Sequence, residues 1–103
     1  MARIAVTGAT GNVGHEVRTA FESTDHELTL ISRTAYEDID TQLLDVADRE
    51  RFVDLVDGHN ILVHLAANPS PYADWDAVVG PNIEGAYNAY EAAVRNDLDR
   101  VVF

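Results

Sequence analysis

Cysteine and lysine are both missing from this 103-residue chain. Without cysteine there is no disulfide and no thiolate metal site. Without lysine, all seven basic side chains are arginine, set against 18 acids for a formal net charge of -11. So acidic a surface repels nucleic-acid phosphates and anionic membranes, and neither is expected as a partner. No apolar run approaches the ~20 residues of a membrane span. A first strand beginning within three residues of Met1 predicts that no signal peptide is present. A soluble, cytoplasmic protein is expected.

The charge has two readings. One is an ordinary acidic surface. The other is a halophilic chain, adapted to molar salt: the Debye length is ~3 Å at ~1 M salt and ~30 Å at ~0.01 M, so self-repulsion is screened only in the first case. The length fits one domain spanning residues 1–103, with an apolar content of 47%. Such a chain buries roughly two-thirds of its unfolded surface in a single core.

The pattern along the chain alternates strand and helix. Strands are predicted near Arg3–Val6, Leu28–Ser32, Gln42–Leu44, Asn60–Leu65 and Arg100–Phe103. Asn12–Glu22 reads as a helix with Val13, Val17, Ala20 and Phe21 on one buried stripe. Asp48 is placed to cap a second helix carrying Phe52, Val53, Leu55 and Val56, and Asp57-Gly58 to stop it. Thr34–Asp40 reads as a loop. After the fourth strand, Gly80-Pro81 predicts a break or kink between a short helix and a longer one over Asn82–Arg95, whose apolar face is Ile83, Ala86, Tyr87, Tyr90 and Val94. This alternation predicts an α/β, Rossmann-like three-layer αβα fold with a five-stranded parallel sheet in the order 3-2-1-4-5. Phe103 falls inside an apolar strand, so the chain is expected to be the front part of a longer protein, cut after strand five. An exposed fifth-strand edge then invites association into a homo-oligomer.

The chemistry sits in Thr7-Gly8-Ala9-Thr10-Gly11-Asn12-Val13-Gly14. Gly8 leaves the strand in a conformation that a Cβ disfavours. Gly11 lets backbone amides approach a diphosphate, and Gly14 lets the helix pack on the strand. The free amides near Asn12 and Val13 face the phosphates, assisted by the helix dipole. The same spacing also suits a tight turn with no ligand, but its position after a strand and before an amphipathic helix points to a dinucleotide.

At the tip of the second strand, Ser32 and Arg33 stand where an acid would favour NAD. Arginine pairs with a 2′-phosphate and stacks on adenine, which leans toward NADP over NAD. The alternatives are an arginine in solvent and a role for Asp38 or Asp40 as the acid near this strand end. Asp45, past the third strand, can accept the adenine amino group with Val46 against the ring, or serve only as a turn aspartate. Leu65, Ala66 and Ala67 close the fourth strand with small residues on which a ribose and diphosphate can lie. Asn82 can bond backbone or cofactor, or cap a helix. The four histidines form no metal site, and His64 reads as a satisfied core residue. No serine, histidine and acid share a triad context.

On these residues the chain resembles the extended short-chain dehydrogenase/reductase family, which includes NAD-dependent epimerases, dehydratases and sugar dehydrogenases. Thr7–Gly14 is similar to its cofactor turn, Asp45-Val46 to its adenine-side pair, and His64-Leu65-Ala66-Ala67 to its fourth-strand segment. Asn82–Ala93 with Arg100–Phe103 is similar to its long helix and fifth strand, most of all in the uronate and sugar dehydrogenase branch. Pro81 and Arg33 depart from the family pattern. The resemblance implies hydride transfer between a sugar or sugar acid and a nicotinamide, through a serine, a tyrosine and a lysine that follow the fifth strand. Tyr36, Tyr72, Tyr87 and Tyr90 are none of them followed four residues later by lysine. The chain by itself is therefore expected to bind the adenosine half and transfer no hydride. A sugar-nucleotide epimerase fragment, a non-catalytic dinucleotide-binding module and a non-binding scaffold are the other readings.

Overall fold

A computed structural model describes all 103 residues, Met1–Phe103. Five short strands are separated by helices: β1 (Arg3–Thr7), α1 (Asn12–Phe21), β2 (Glu27–Ser32), β3 (Gln42–Leu43), α2 (Arg49–Val56), β4 (Ile61–His64), α3 (Trp75–Val78), a π-helical turn (Val79–Glu84), α4 (Gly85–Arg95) and β5 (Arg100–Val102). The strands form one parallel sheet in the order β3-β2-β1-β4-β5. Central β1 is paired on both sides, Ala5 lying opposite Thr29 of β2 and Leu62 of β4. The order of strand addition reverses here: β2 and β3 extend one way from β1, β4 and β5 the other. A crevice opens at the carboxyl ends of the strands where such a switch occurs. No helix is long and apolar enough to cross a membrane.

Alternation along β1 divides the core between two faces. Ile4, Val6 and Ala9 pack on the face covered by α1, against Val17, Phe21, Leu28 and Leu30. Ala5 joins Ile31, Leu44, Phe52, Val56, Leu62, Ala89 and Ala92 on the face covered by α2 and α4. Phe52 and Val56, one turn apart on α2, are fully buried. Asp48 caps α2 through Arg51 N at 3.3 Å, and Gly58 follows its end at φ +78°.

Three expectations are corrected. Val13 and Ala20 do not join a buried stripe on α1: both are exposed, and Gly14 is that helix's one buried residue. Val13 sits in the first turn and overhangs the crevice instead of the sheet. The aliphatic and aromatic side of α4 also faces outward, with Ile83, Tyr87, Tyr90 and Val94 exposed. Inward lie Gly85, Asn88, Ala89, Ala92 and Ala93. Close docking selects those small residues: a Cβ at Gly85 would fall 2.6 Å from Val46 Cγ2. Lastly, Gly80-Pro81 does not break the helix. The chain stays helical from Trp75 to Arg95 through the π turn, in which Gly85 N donates to Gly80 O. One extra residue per turn accommodates a proline that has no N–H to donate. The predicted strand ends otherwise shift by about one residue, within ordinary fraying.

Candidate functional site

The β1–α1 turn is built by close approach. Gly8 has φ +65°, and a Cβ there would lie 2.8 Å from both Leu65 C and Ala66 N. Gly14 is tighter: a Cβ would overlap Gly8 O and stand 2.6 Å from Ala9 C. The turn closes through Gly11 N donating to Gly8 O at 3.1 Å, and Arg18 Nε holds Ala9 O at 3.0 Å. At Gly11 an added Cβ would meet only Gly8 O, at 3.5 Å, with open space around it. Gly11 occupies the N-cap position of α1 with no side-chain cap, and no acid lies in the first turn. The first amides of such a helix lack intrahelical partners and favour an anion.

This turn forms one wall of a cavity of about 860 Å³ over the carboxyl ends of the strands. Gly8, Thr10, Gly11, Asn12 and Val13 line it, as do Ser32 and Arg33 at the end of β2. Asp45 and Val46 line it from the β3–α2 turn, and Leu65, Ala66 and Ala67 from the end of β4. Asn82 lies outside it and caps no helix. Inside the π turn, its Oδ1 accepts from Asn68 N at 2.7 Å and its Nδ2 donates to Asn68 O at 3.1 Å. That bidentate grip braces the cavity lip at Asn68-Pro69 from behind.

The side chains differ in how free they are. The Ser32 hydroxyl is buried and spent within the protein, donating to Thr34 O and paired with Thr41 Oγ1, both at 2.7 Å. Arg33 is exposed and has no ion pair or hydrogen bond in the protein. It is the only arginine lining the cavity. Asp45 acts as a turn aspartate with one oxygen, Oδ1 accepting from Ala47 N at 3.0 Å, and no bond engages Oδ2. His64 is buried behind the lining, with Nδ1 2.7 Å from Thr7 Oγ1 and its ring against Phe52 and Phe103. Burial lowers its pKa to about 4.

Sequence reasoning missed several lining residues. Tyr36 is half-exposed on the loop after β2, where it forms an isolated antiparallel bridge with Ile39. Its signal was an aromatic ring three residues beyond Arg33. Asp76, Ala77, Gly80 and Pro81 line the far side from α3 and the π turn that follows it.

Cavity, glycine cradle and uncapped helix suit a ligand with adjacent phosphates. Residues 4–103 match the NAD dependent epimerase/dehydratase family. The chain belongs to that family. It is 52% identical over 103 residues to the L-arabinose 1-dehydrogenase (NAD(P)(+)) of Haloferax volcanii, covering all of this chain and 40% of that protein. It is 31% identical over 108 residues to the uronate dehydrogenase of Pseudomonas putida, covering 98% of this chain and 39% of the relative. Among solved structures, a mutant uronate dehydrogenase of Agrobacterium tumefaciens complexed with NAD superposes with a TM-score of 0.87 at 30% identity, over all of this chain and 40% of that one. The chain thus spans about two-fifths of the length of the curated relatives it matches.

Proposed function

We propose that this chain is the NAD(P)-binding part of an oxidoreductase acting on a sugar or sugar acid. The observation that carries the reading is the pair of glycine contacts at the β1–α1 turn. Gly8 and Gly14 leave no room for a Cβ, while Gly11 opens onto the cavity beside an uncapped helix start. A turn needing only tight packing has no use for that third opening. The diphosphate lies on the amides of Asn12 and Val13. The adenosine half extends over β1, β2 and β3, with Asp45 Oδ2 accepting the adenine amino group and Val46 against the ring. Arg33 takes a 2′-phosphate, which favours NADP over NAD. The nicotinamide half lies toward Leu65, Ala66 and Ala67. Asn82 serves the site by bracing Asn68, not by touching the cofactor.

When bound, the nicotinamide supplies the hydride acceptor. This chain's residues bind and orient it, and no tyrosine among them has a lysine four residues on. Hydride transfer is therefore assigned to a longer protein, in the cytoplasm, and not to these residues alone. The names of the similar proteins support the sugar dehydrogenase reading over an epimerase or a non-catalytic module. Self-association into a homo-oligomer belongs to the same proposal. Calorimetric titration with NAD and NADP tests it: saturable binding of either supports the reading, and no heat or thermal shift with either at millimolar concentration overturns it.

A further inference from the structure

We propose that Asn88, inside α4 and away from the cavity, is a positioning residue that aims the Asp45 carboxylate and thereby sets selectivity for adenine over guanine. The inference rests on the nucleotide-binding reading above.

Asn88 is 1% exposed, an uncommon place for an amide on a helix otherwise docked through glycine and alanine. Its Nδ2 donates to Val46 O at 2.8 Å, and its Oδ1 accepts from Arg49 Nε at 2.9 Å. The Val46 carbonyl shares one planar peptide unit with the Ala47 N–H. That N–H donates to Asp45 Oδ1 at 3.0 Å. The peptide is therefore held at both ends, by Asn88 on the core side and by Asp45 on the cavity side. A fixed peptide plane fixes the direction of its N–H, and so the orientation of a carboxylate that is otherwise exposed. Arg49 settles which way the amide faces, and its own guanidinium lies 4.9 Å over the Tyr87 ring. Gly85, one turn before Asn88, brings α4 close enough for the reach. Bonds in series polarise one another and stiffen the chain of contacts.

The chemical consequence concerns Asp45 Oδ2, which the protein leaves free. Adenine presents an amino donor on its Watson–Crick edge, and guanine presents a carbonyl acceptor at the equivalent position. A carboxylate fixed at that position bonds the adenine amino group and is repelled by the guanine carbonyl, whereas one free to swing can reach the neighbouring N1–H and 2-amino donors of guanine and loses the discrimination. Asn88 touches no ligand, so its effect should appear in the ratio of the two affinities.

The test is calorimetric titration of ADP and GDP into the chain at fixed salt. The native chain is expected to prefer ADP at least about tenfold, the scale of one hydrogen bond to a charged group. Asn88→Asp keeps the shape and the Arg49 partner but loses the donor to Val46 O. It should lower ADP affinity about tenfold and leave GDP affinity unchanged. Exposed Arg49→Met removes the anchor without touching the core and should lose about threefold of the preference; it decides the matter if Asn88→Asp does not fold. An unaltered ADP-to-GDP ratio in the folded variants overturns the proposal, as does a native chain that binds both equally. A parallel fall of both affinities also overturns it, since that marks a merely structural role. Binding of neither nucleotide by the native chain defeats the nucleotide reading itself.

Discussion

Thr7 Oγ1 and His64 Nδ1 lie 2.7 Å apart, joining the ends of two neighbouring parallel strands beneath the β1–α1 glycine turn. Thr7 Oγ1 also accepts from Leu65 N at 3.1 Å and Ala66 N at 3.3 Å. With two donors already aimed at it, the hydroxyl sends its own proton to the histidine. Nδ1 is then an acceptor, and the imidazole is neutral with its proton on Nε2. Protonating His64 would turn Nδ1 into a third donor facing the same oxygen.

A stability loss in mild acid follows. Burial lowers the His64 pKa from 6.5 to about 4, so the unfolded chain takes up this proton first. The contribution is fully present above the unfolded value and is lost as pH falls through 6.5 toward 4. Between about pH 7.5 and pH 5 the cost is about 2 kcal/mol, before most carboxylates titrate. Urea unfolding at the two pH values measures it. His64→Asn should flatten the dependence, and an equal slope in that variant would assign the effect to other groups.

Two glycines in one turn should respond in opposite ways to alanine. Gly8→Ala forces a Cβ onto Leu65 C and Ala66 N at 2.8 Å with φ at +65°, so the fold should lose about 2 kcal/mol or more. Gly11→Ala meets only one atom, at 3.5 Å, and should change stability by less than about 0.5 kcal/mol. Its methyl group instead enters the space assigned to the phosphates, and dinucleotide affinity should fall about tenfold or more. Thermal melts and calorimetry on both variants separate the effects. Retained affinity in a well-folded Gly11→Ala chain would remove the phosphates from this turn.

The strand order and the β1–α1 glycine turn were legible because short-range rules govern both. The nearly continuous apolar run of β4 marks a parallel strand covered on both faces, and β1 ends at Thr7, where a glycine must follow because φ is positive. The face of α4 was not legible. Periodicity finds the apolar stripe of Ile83, Tyr87, Tyr90 and Val94, but glycine and alanine carry little hydrophobic signal, and they are what close packing selects. Asn88 escaped for the same reason: a polar residue on a buried face reads as surface until its partners at Val46 and Arg49 are in place. Pro81 misled because proline usually ends a helix, and a π turn leaves no sequence period of its own.

Salt should stabilise this chain. The net charge is -11, and only three ion pairs form, all between partly exposed side chains. Such pairs are worth little, so salt loses little by screening them. Repulsion among the unpaired acids is long-ranged in dilute buffer and is cut off at molar salt. The thermal midpoint should rise by at least about 5 °C between low salt and molar potassium chloride, equivalent to about 1 kcal/mol for a domain of this size. Equal midpoints would leave the acidity without a stabilising partner in salt.

Arg33 gives the sharpest test of cofactor choice. It stands free at the end of β2, and no other arginine borders the cavity, which also holds the carboxylates of Asp45 and Asp76. A 2′-phosphate at the end of β2 therefore has this guanidinium as its one cationic side chain. Removing it should cost NADP its one counter-charge while leaving NAD, which places only ribose hydroxyls there, almost unaffected. For Arg33→Ala the expected result is about a tenfold loss of NADP affinity, the scale of one charge-assisted hydrogen bond, with NAD affinity within about twofold of native. Both titrations need the same ionic strength, because screening alone shifts the two ligands unequally. An Arg33→Ala chain that still prefers NADP tenfold would transfer the 2′-phosphate to backbone donors of the Thr34–Tyr36 loop.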